Sequence, residues 1–355
     1  MTRNIWTRGQ RRTRLPTQAY LQARYLQNSL QIDAIDESID LLEKAVELDP
    51  QFAEAWAELG MAYWQKQTFA GEVTNELDLA ELSALKSLTL SQQNARTYVV
   101  LGLTAAKRRD YVSMRTNLDK ALALNRNSQL ALRWYAYGLL AVGEIEDALQ
   151  YSARTLKLDP LQTRNHLSHA TNLYVSGDLE AARNVANQAI ALGFQPAQMV
   201  LADIAKAEGD PQRAMDHARP MVTQVAQLLT EQEIETALQG IFVGGEARSK
   251  AVQMIAGLAD QPDRAARMFF GNFLVMLQEP ELAFETFRTN SGGFDVAFFV
   301  ALWSERGEAV RTSDAFQDFA RQIGLVEYWQ TYGWPALCTP DNPAAEGIDV
   351  AFGCQ

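Results

Sequence analysis

The chain has 355 residues, 47% hydrophobic and 21% charged, which gives enough apolar content for a packed core and excludes a disordered chain. Its formal net charge of -11 argues against general binding to nucleic acid or anionic lipid, both of which need a basic surface. No run of about 18 apolar residues occurs, so the sequence offers no membrane-spanning helix.

Residues 1–16 carry Arg3, Arg8, Arg11, Arg12 and Arg14 and no acid. They read as a basic N-terminal arm or linker, and without an apolar h-region they are not a signal peptide. Helical periodicity follows and hardly stops. Ala, Leu, Gln and Glu dominate, and all favour helices. The cleanest stretch is Phe52–Trp64, where Trp56, Leu59, Gly60 and Tyr63 stand in the order W-x2-L-G-x2-Y. Trp56, Leu59 and Tyr63 share one side of a helix, and Gly60 lets a second helix approach closely.

That stretch carries the first-helix signature of the tetratricopeptide repeat, and residues 19–220 resemble an array of such repeats. Units of about 34 residues start at Ala19, Ala53, Ala95, Gln129, Thr163 and near Ala197. The step from Ala53 to Ala95 is 42 residues, and the excess falls in 65–78, between two helices. Small residues of the second helices recur at Ser38 and Ala45, at Ala80, Ala84 and Ser87, and at Ala148, Ser152 and Thr155. Arg109-Asp110, Gly143-Glu144, Gly177-Asp178 and Gly209-Asp210 mark turns at one repeat position, where glycine permits positive φ.

Past about residue 220 the register is lost. Segments 230–243, 246–258, 261–277, 279–289, 294–306 and 313–325 still read as helices, and Thr230 with Glu233 resembles a capping box. The expected fold is therefore all-α. It is a tetratricopeptide-type right-handed superhelix of antiparallel helix pairs over 17–220, a degenerate helical cap over 221–330, and a loop-rich tail over 331–355. A narrower resemblance joins Leu26, Ala45, Asp49-Pro50 and Phe52-Ala53 to Gly324-Leu325, Tyr328-Trp329, Pro335 and Cys338. It is to the repeat-bearing C-terminal half of bacterial membrane-anchored winged-helix or adenylate-cyclase-type regulators. The chain has no winged helix, cyclase domain or membrane helix, so neither DNA binding nor catalysis carries over.

In the family, first helices line a concave groove. The resemblance places Tyr20, Gln27, Met61, Trp64, Arg96, Lys107, Arg133, Tyr137, Arg164, Thr171 and Tyr174 there. Tyr, Trp, Met and Arg are the types that carry binding energy at interfaces. Cations in an acidic protein suit a partner segment of acidic or aromatic character. Met61 and Trp64, beside the insertion, read as its most specialised point. Packing between units, or a groove filled by the chain's own tail, are the alternatives.

Other constellations are weaker. His166 and His169 stand i, i+3, but a metal needs further ligands; no Cys stands near in sequence, and the third histidine, His217, lies more than one repeat away. Ser83-Ala-Leu-Lys86 fits S-x-x-K without the accompanying acyl-enzyme motifs. No catalytic residue, metal or cofactor is assigned. Cys338 and Cys354, if oxidised, would tie down the tail in an oxidising compartment, and two free thiols in a cytoplasmic protein fit as well. The resulting expectation is a non-enzymatic protein-interaction scaffold, the sensory or partner-binding part of a regulatory system. A small-molecule sensor around Trp64, Trp134 and Tyr137 and an accessory module of an envelope enzyme are the rivals. The lack of a targeting signal suggests the cytoplasm, and a missing upstream anchor would suggest the periplasmic face.

Overall fold

The structure, a computed structural model, describes residues 3–27, 31–69, 75–225, 229–259, 271–289, 295–344 and 347–355. Among the described residues the fold is all-α apart from one small hairpin, and the chain divides into two compact units, Met1–Ala131 and Leu132–Gln355.

The first unit holds three antiparallel helix pairs: α1 (Arg3–Leu26) with α2 (Ile32–Leu48), α3 (Ala53–Phe69) with α4 (Glu76–Leu90), and α5 (Ala95–Lys107) with α6 (Tyr111–Leu124). The backbone of the basic stretch is helical from Arg3, with Pro16 inside α1. Part of the insertion prolongs α3 to Phe69, and the rest falls partly in residues 70–74, outside the described residues. The signature residues act as their chemistry suggests. The Trp56 indole donates to Pro50 O at 3.1 Å, fastening the helix entry. Gly60 is a true close approach: a Cβ there would lie 2.8 Å from Ala80 O on α4. The small residues Ala80, Ala84 and Ser87 are fully buried against it. The Ser87 hydroxyl meets both Ala53 O and Thr97 Oγ1 and ties α4 to the next first helix.

The second unit continues the pattern from α7 (Gln129–Ala141), within which it begins. Then follow α8 (Ile145–Leu158), α9 (Thr163–Val175), α10 (Leu179–Ala191), α11 (Gln198–Ala207), α12 (Pro211–Val225), α13 (Glu231–Phe242) and α14 (Glu246–Ala259). His166 stands where Trp56 stood, and its Nε2 donates to Pro160 O at 2.7 Å. The turn reading holds: φ is +67° at Arg109, +86° at Gly143, +88° at Gly177 and +77° at Gly209. Asp110, Asp178 and Asp210 then cap the following helices through the backbone N–H three residues on. The Thr230–Glu233 capping box forms as well.

Beyond α14, α15 (Pro280–Thr289), α16 (Val296–Trp303), α17 (Glu308–Arg311), α18 (Asp314–Gln322) and α19 (Leu325–Tyr332) build an aromatic core. The segment expected to be helical over 261–277 is described only from 271 on, and there residues 271–276 are helical. Phe284 stacks on Phe319 at 4.1 Å, and Phe287, Phe298 and Phe316 surround them. Gly324, at φ +82°, stops the helix read as continuing to 325 and starts α19. The tail read as loop contains β1 (Cys338–Pro340) paired antiparallel with β2 (Phe352–Cys354). Cys338 faces Cys354 in that register and forms a disulfide with it.

Candidate functional site

In the first unit the candidate side chains are mostly consumed by packing. Gln27, Met61, Trp64 and Lys107 are buried, while Tyr20 and Arg96 are half-buried. The Trp64 indole donates to Leu103 O on α5 at 3.2 Å, and Lys107 Nζ lies 5.8 Å from the Trp64 ring centre. Gln27 donates to Ser38 Oγ at 3.0 Å. Met61 and Trp64, read as the most specialised point of the groove, are 3% and 2% exposed. Large side chains on neighbouring first helices bury against each other wherever the helices sit close.

The same seam holds a residue that the sequence reading passed over. Glu58, 2% exposed, meets Arg96 at 2.8 Å and Arg24 at 3.7 Å. Burial raises its pKa, and Arg96 and then Arg24 oppose the rise. A raised carboxyl pKa makes stability fall as pH climbs through the range between the unfolded and folded values. Removing Arg96 enlarges that loss. Arg96→Gln is expected to cost about 2 kcal/mol near pH 7, below the usual range for a broken buried pair because Arg24 remains. The cost is expected to shrink near pH 5, and urea titrations at the two pH values check both the size and the sign.

In the second unit three candidates come together. Arg133 and Tyr137 lie one turn apart on α7, and Arg164 lies on α9. Burial raises the Tyr137 pKa; the Arg133 charge, the Ser168 hydroxyl and the Arg164 charge draw it back down. Burial lowers the Arg164 pKa, with Tyr137 acting in the opposite direction. Trp134 sits edge-on to Tyr137 at 5.7 Å. Arg133, Trp134, Tyr137, Arg164 and Leu167 are all half-buried, so this patch keeps solvent access. It can offer two guanidinium groups, a phenol and an apolar floor to one ligand segment.

Thr171 and Tyr174, further along α9, are buried instead. The Tyr174 hydroxyl bonds Ser304, just after α16, and burial followed by the nearby Asp203 carboxylate raises its pKa. Asp203 on α11 pairs with Arg306 at 2.9 Å. This end of the first-helix face is thus occupied by the chain's own C-terminal segment. The attachment continues at the turn after α7. Trp303 donates to Ala141 O at 3.2 Å, Trp329 to Val142 O at 2.8 Å and Tyr328 to Glu144 Oε1 at 2.6 Å. Gly143 is required twice over, by its positive φ and because a Cβ would press on Pro335 and Trp303 at 3.0 Å. One sequence signal pointed here: Glu144 stands where the sibling turns carry a capping Asp, and it caps nothing with its side chain.

His169 shares a hydrogen bond with Ser152 at 3.1 Å, and among the described residues no group of three metal-capable side chains forms. Ser83 of the S-x-x-K stretch is buried in α4 among the small packing residues.

Comparison with known proteins agrees with this architecture. Residues 31–67 match the family model of the TPR repeat. Over 145 residues, 41% of this chain and 26% of the other, the sequence is 25% identical to the transcriptional regulator HilA of Salmonella typhimurium, with the same figures for HilA of Salmonella typhi. The matched region thus spans about a quarter of those curated relatives. Among solved structures, a monomeric IFIT1 mutant with Gppp-AAAA is similar at a TM-score of 0.53 and 14% identity, covering 78% of this chain and 71% of that one. That likeness is one of fold. A solved structure of Pseudomonas aeruginosa PilF is 20% identical with a TM-score of 0.45, over 60% of this chain and 93% of that one.

Proposed function

We propose, from the premise that the chain is built of tetratricopeptide repeats, that it is a non-enzymatic scaffold holding an acidic segment of another protein. The binding face is the open patch of the second unit. One observation carries the reading. Arg133, Trp134, Tyr137 and Arg164 are gathered on two first helices and keep partial solvent access, whereas Gln27, Met61, Trp64, Lys107, Thr171 and Tyr174 are buried. Guanidinium forks suit carboxylates, and aromatic rings beside them supply the apolar contact that interface anchors use. In a chain of net charge -11, two guanidinium groups side by side give an acidic segment a local point of attraction. The partial likeness to HilA supports placing the scaffold in a regulatory system, as its partner-binding part.

The test is affinity purification from the native host with wild type and with Arg133→Glu/Arg164→Glu. The reading expects one or more partners to be lost by the charge-reversed protein while its helical content is kept. Recovery of the same partners at the same yield would overturn it.

A further inference from the structure

We propose that the Cys338–Cys354 disulfide is a redox lock on the segment that fills the inner end of the second unit's first-helix face. The proposal rests on that face being the binding face. Each strand of the hairpin has only three residues, and a two-stranded hairpin of that length is marginal by itself. The disulfide is therefore the one covalent tie that keeps β2 in place, beside the packing of Phe352. What β2 holds is specific. Phe352, 1% exposed, packs against both Trp329 and Trp334, with ring centres 5.5 and 5.2 Å away. Gln355 O, the next carbonyl after β2, accepts from Arg311 Nε at 2.8 Å. The same guanidinium donates through Nη1 to Ser304 O at 2.7 Å and to Leu302 O. Burial brings the Arg311 pKa down to about 10, so this cation depends on those carbonyls for its solvation. The line of support thus runs from the disulfide through Arg311 and Trp329 to Ser304 and Trp303, and so to Tyr174 and the turn after α7.

The chemistry is ordinary exchange. Cys354 is half-buried and Cys338 is buried, so an incoming thiolate reaches Cys354 Sγ. A dithiol reductant attacks there, forms a mixed disulfide and expels Cys338 as a thiolate, which takes a proton. The reductant's second thiol then displaces Cys354. Two electrons enter the protein, and the reductant leaves as a disulfide. β2 is then free to lift, Arg311 loses an acceptor, and the inner end of the face opens.

Hydrogen exchange tests this on the full chain, oxidised and after dithiothreitol, with Cys338→Ser/Cys354→Ser as the reductant-insensitive form. Reduction is expected to speed exchange in α16 and α19 about a hundredfold, the loosening that loss of a loop of this size allows. Exchange in α3–α6 is expected to stay unchanged, and reoxidation should restore the slow rates. Unchanged rates in α16 and α19, with or without faster exchange in the hairpin itself, would overturn the lock. If exchange responds but charge reversal at Arg133 and Arg164 leaves partner capture intact, the lock stands and the binding-face reading fails.

Discussion

Trp303→Ala is expected to destabilise the second unit by about 4 kcal/mol, the range for deleting a buried large aromatic side chain. Trp303 is 1% exposed and packs edge-on to Trp329 and Phe316 at 6.3 and 6.1 Å. Its truncation leaves a cavity between the aromatic core and the turn after α7. It also leaves Ala141 O without the indole donor, which adds the cost of an unmet buried acceptor. Trp303→Phe keeps most of the ring volume and loses the hydrogen bond, so about 1–2 kcal/mol is expected. Urea unfolding of the two variants and wild type checks the order. A loss below about 1 kcal/mol for the alanine variant would mean that the aromatic core does not support this turn.

Gly60→Val is expected to cost about 3 kcal/mol in the first unit, the upper part of the range for overpacking. A Cβ at Gly60 would meet Ala80 O at 2.8 Å and Val100 Cγ1 at 3.1 Å. The nearer atom is backbone, so relief requires α3 and α4 to separate rather than a rotamer to change. Replacing glycine in a helix ordinarily gains up to about 1 kcal/mol in propensity. The clash outweighs that gain, and the sign of the measured change decides between the two effects. Gly60→Ala, with less bulk, should lose less. Thermal unfolding followed by hydrogen exchange in α3 and α4 would locate the damage, and wild-type stability in the valine variant would contradict the close approach.

Much of the repeat architecture was readable because its causes are local. The positive-φ turns and the Asp caps act within one turn of chain, while Gly60 and the small residues Ala80, Ala84 and Ser87 act between paired helices but at positions the repeat fixes, and each left its own residue type. The candidate site was readable only in part. Position in a repeat says which side of a helix a residue occupies, but not whether another segment covers it. Met61 and Trp64 are covered, Tyr174 is engaged by Ser304, and Arg133, Tyr137 and Arg164 retain access. Glu58 was missed because its two arginines lie 34 and 38 residues away. The contact of Trp303 and Trp329 with the turn after α7 spans 162 and 187 residues, and no local pattern encodes it. Its one trace was Glu144 in an Asp position. The disulfide was half-visible: two cysteines in a tail made it conceivable, and the strand register that pairs them is a property of the fold.

The scaffold reading is tested most directly by fluorescence anisotropy of a panel of labelled peptides matched in length and apolar content but differing in charge. The panel is titrated with wild type and with Arg133→Glu/Arg164→Glu. Wild type is expected to bind acidic, aromatic-containing peptides at least tenfold tighter than basic ones, and the charge-reversed protein to lose that preference, a change of about 1.4 kcal/mol or more. The same peptide ranking and the same affinities in both proteins would contradict the assignment of this face as the place where a partner is held.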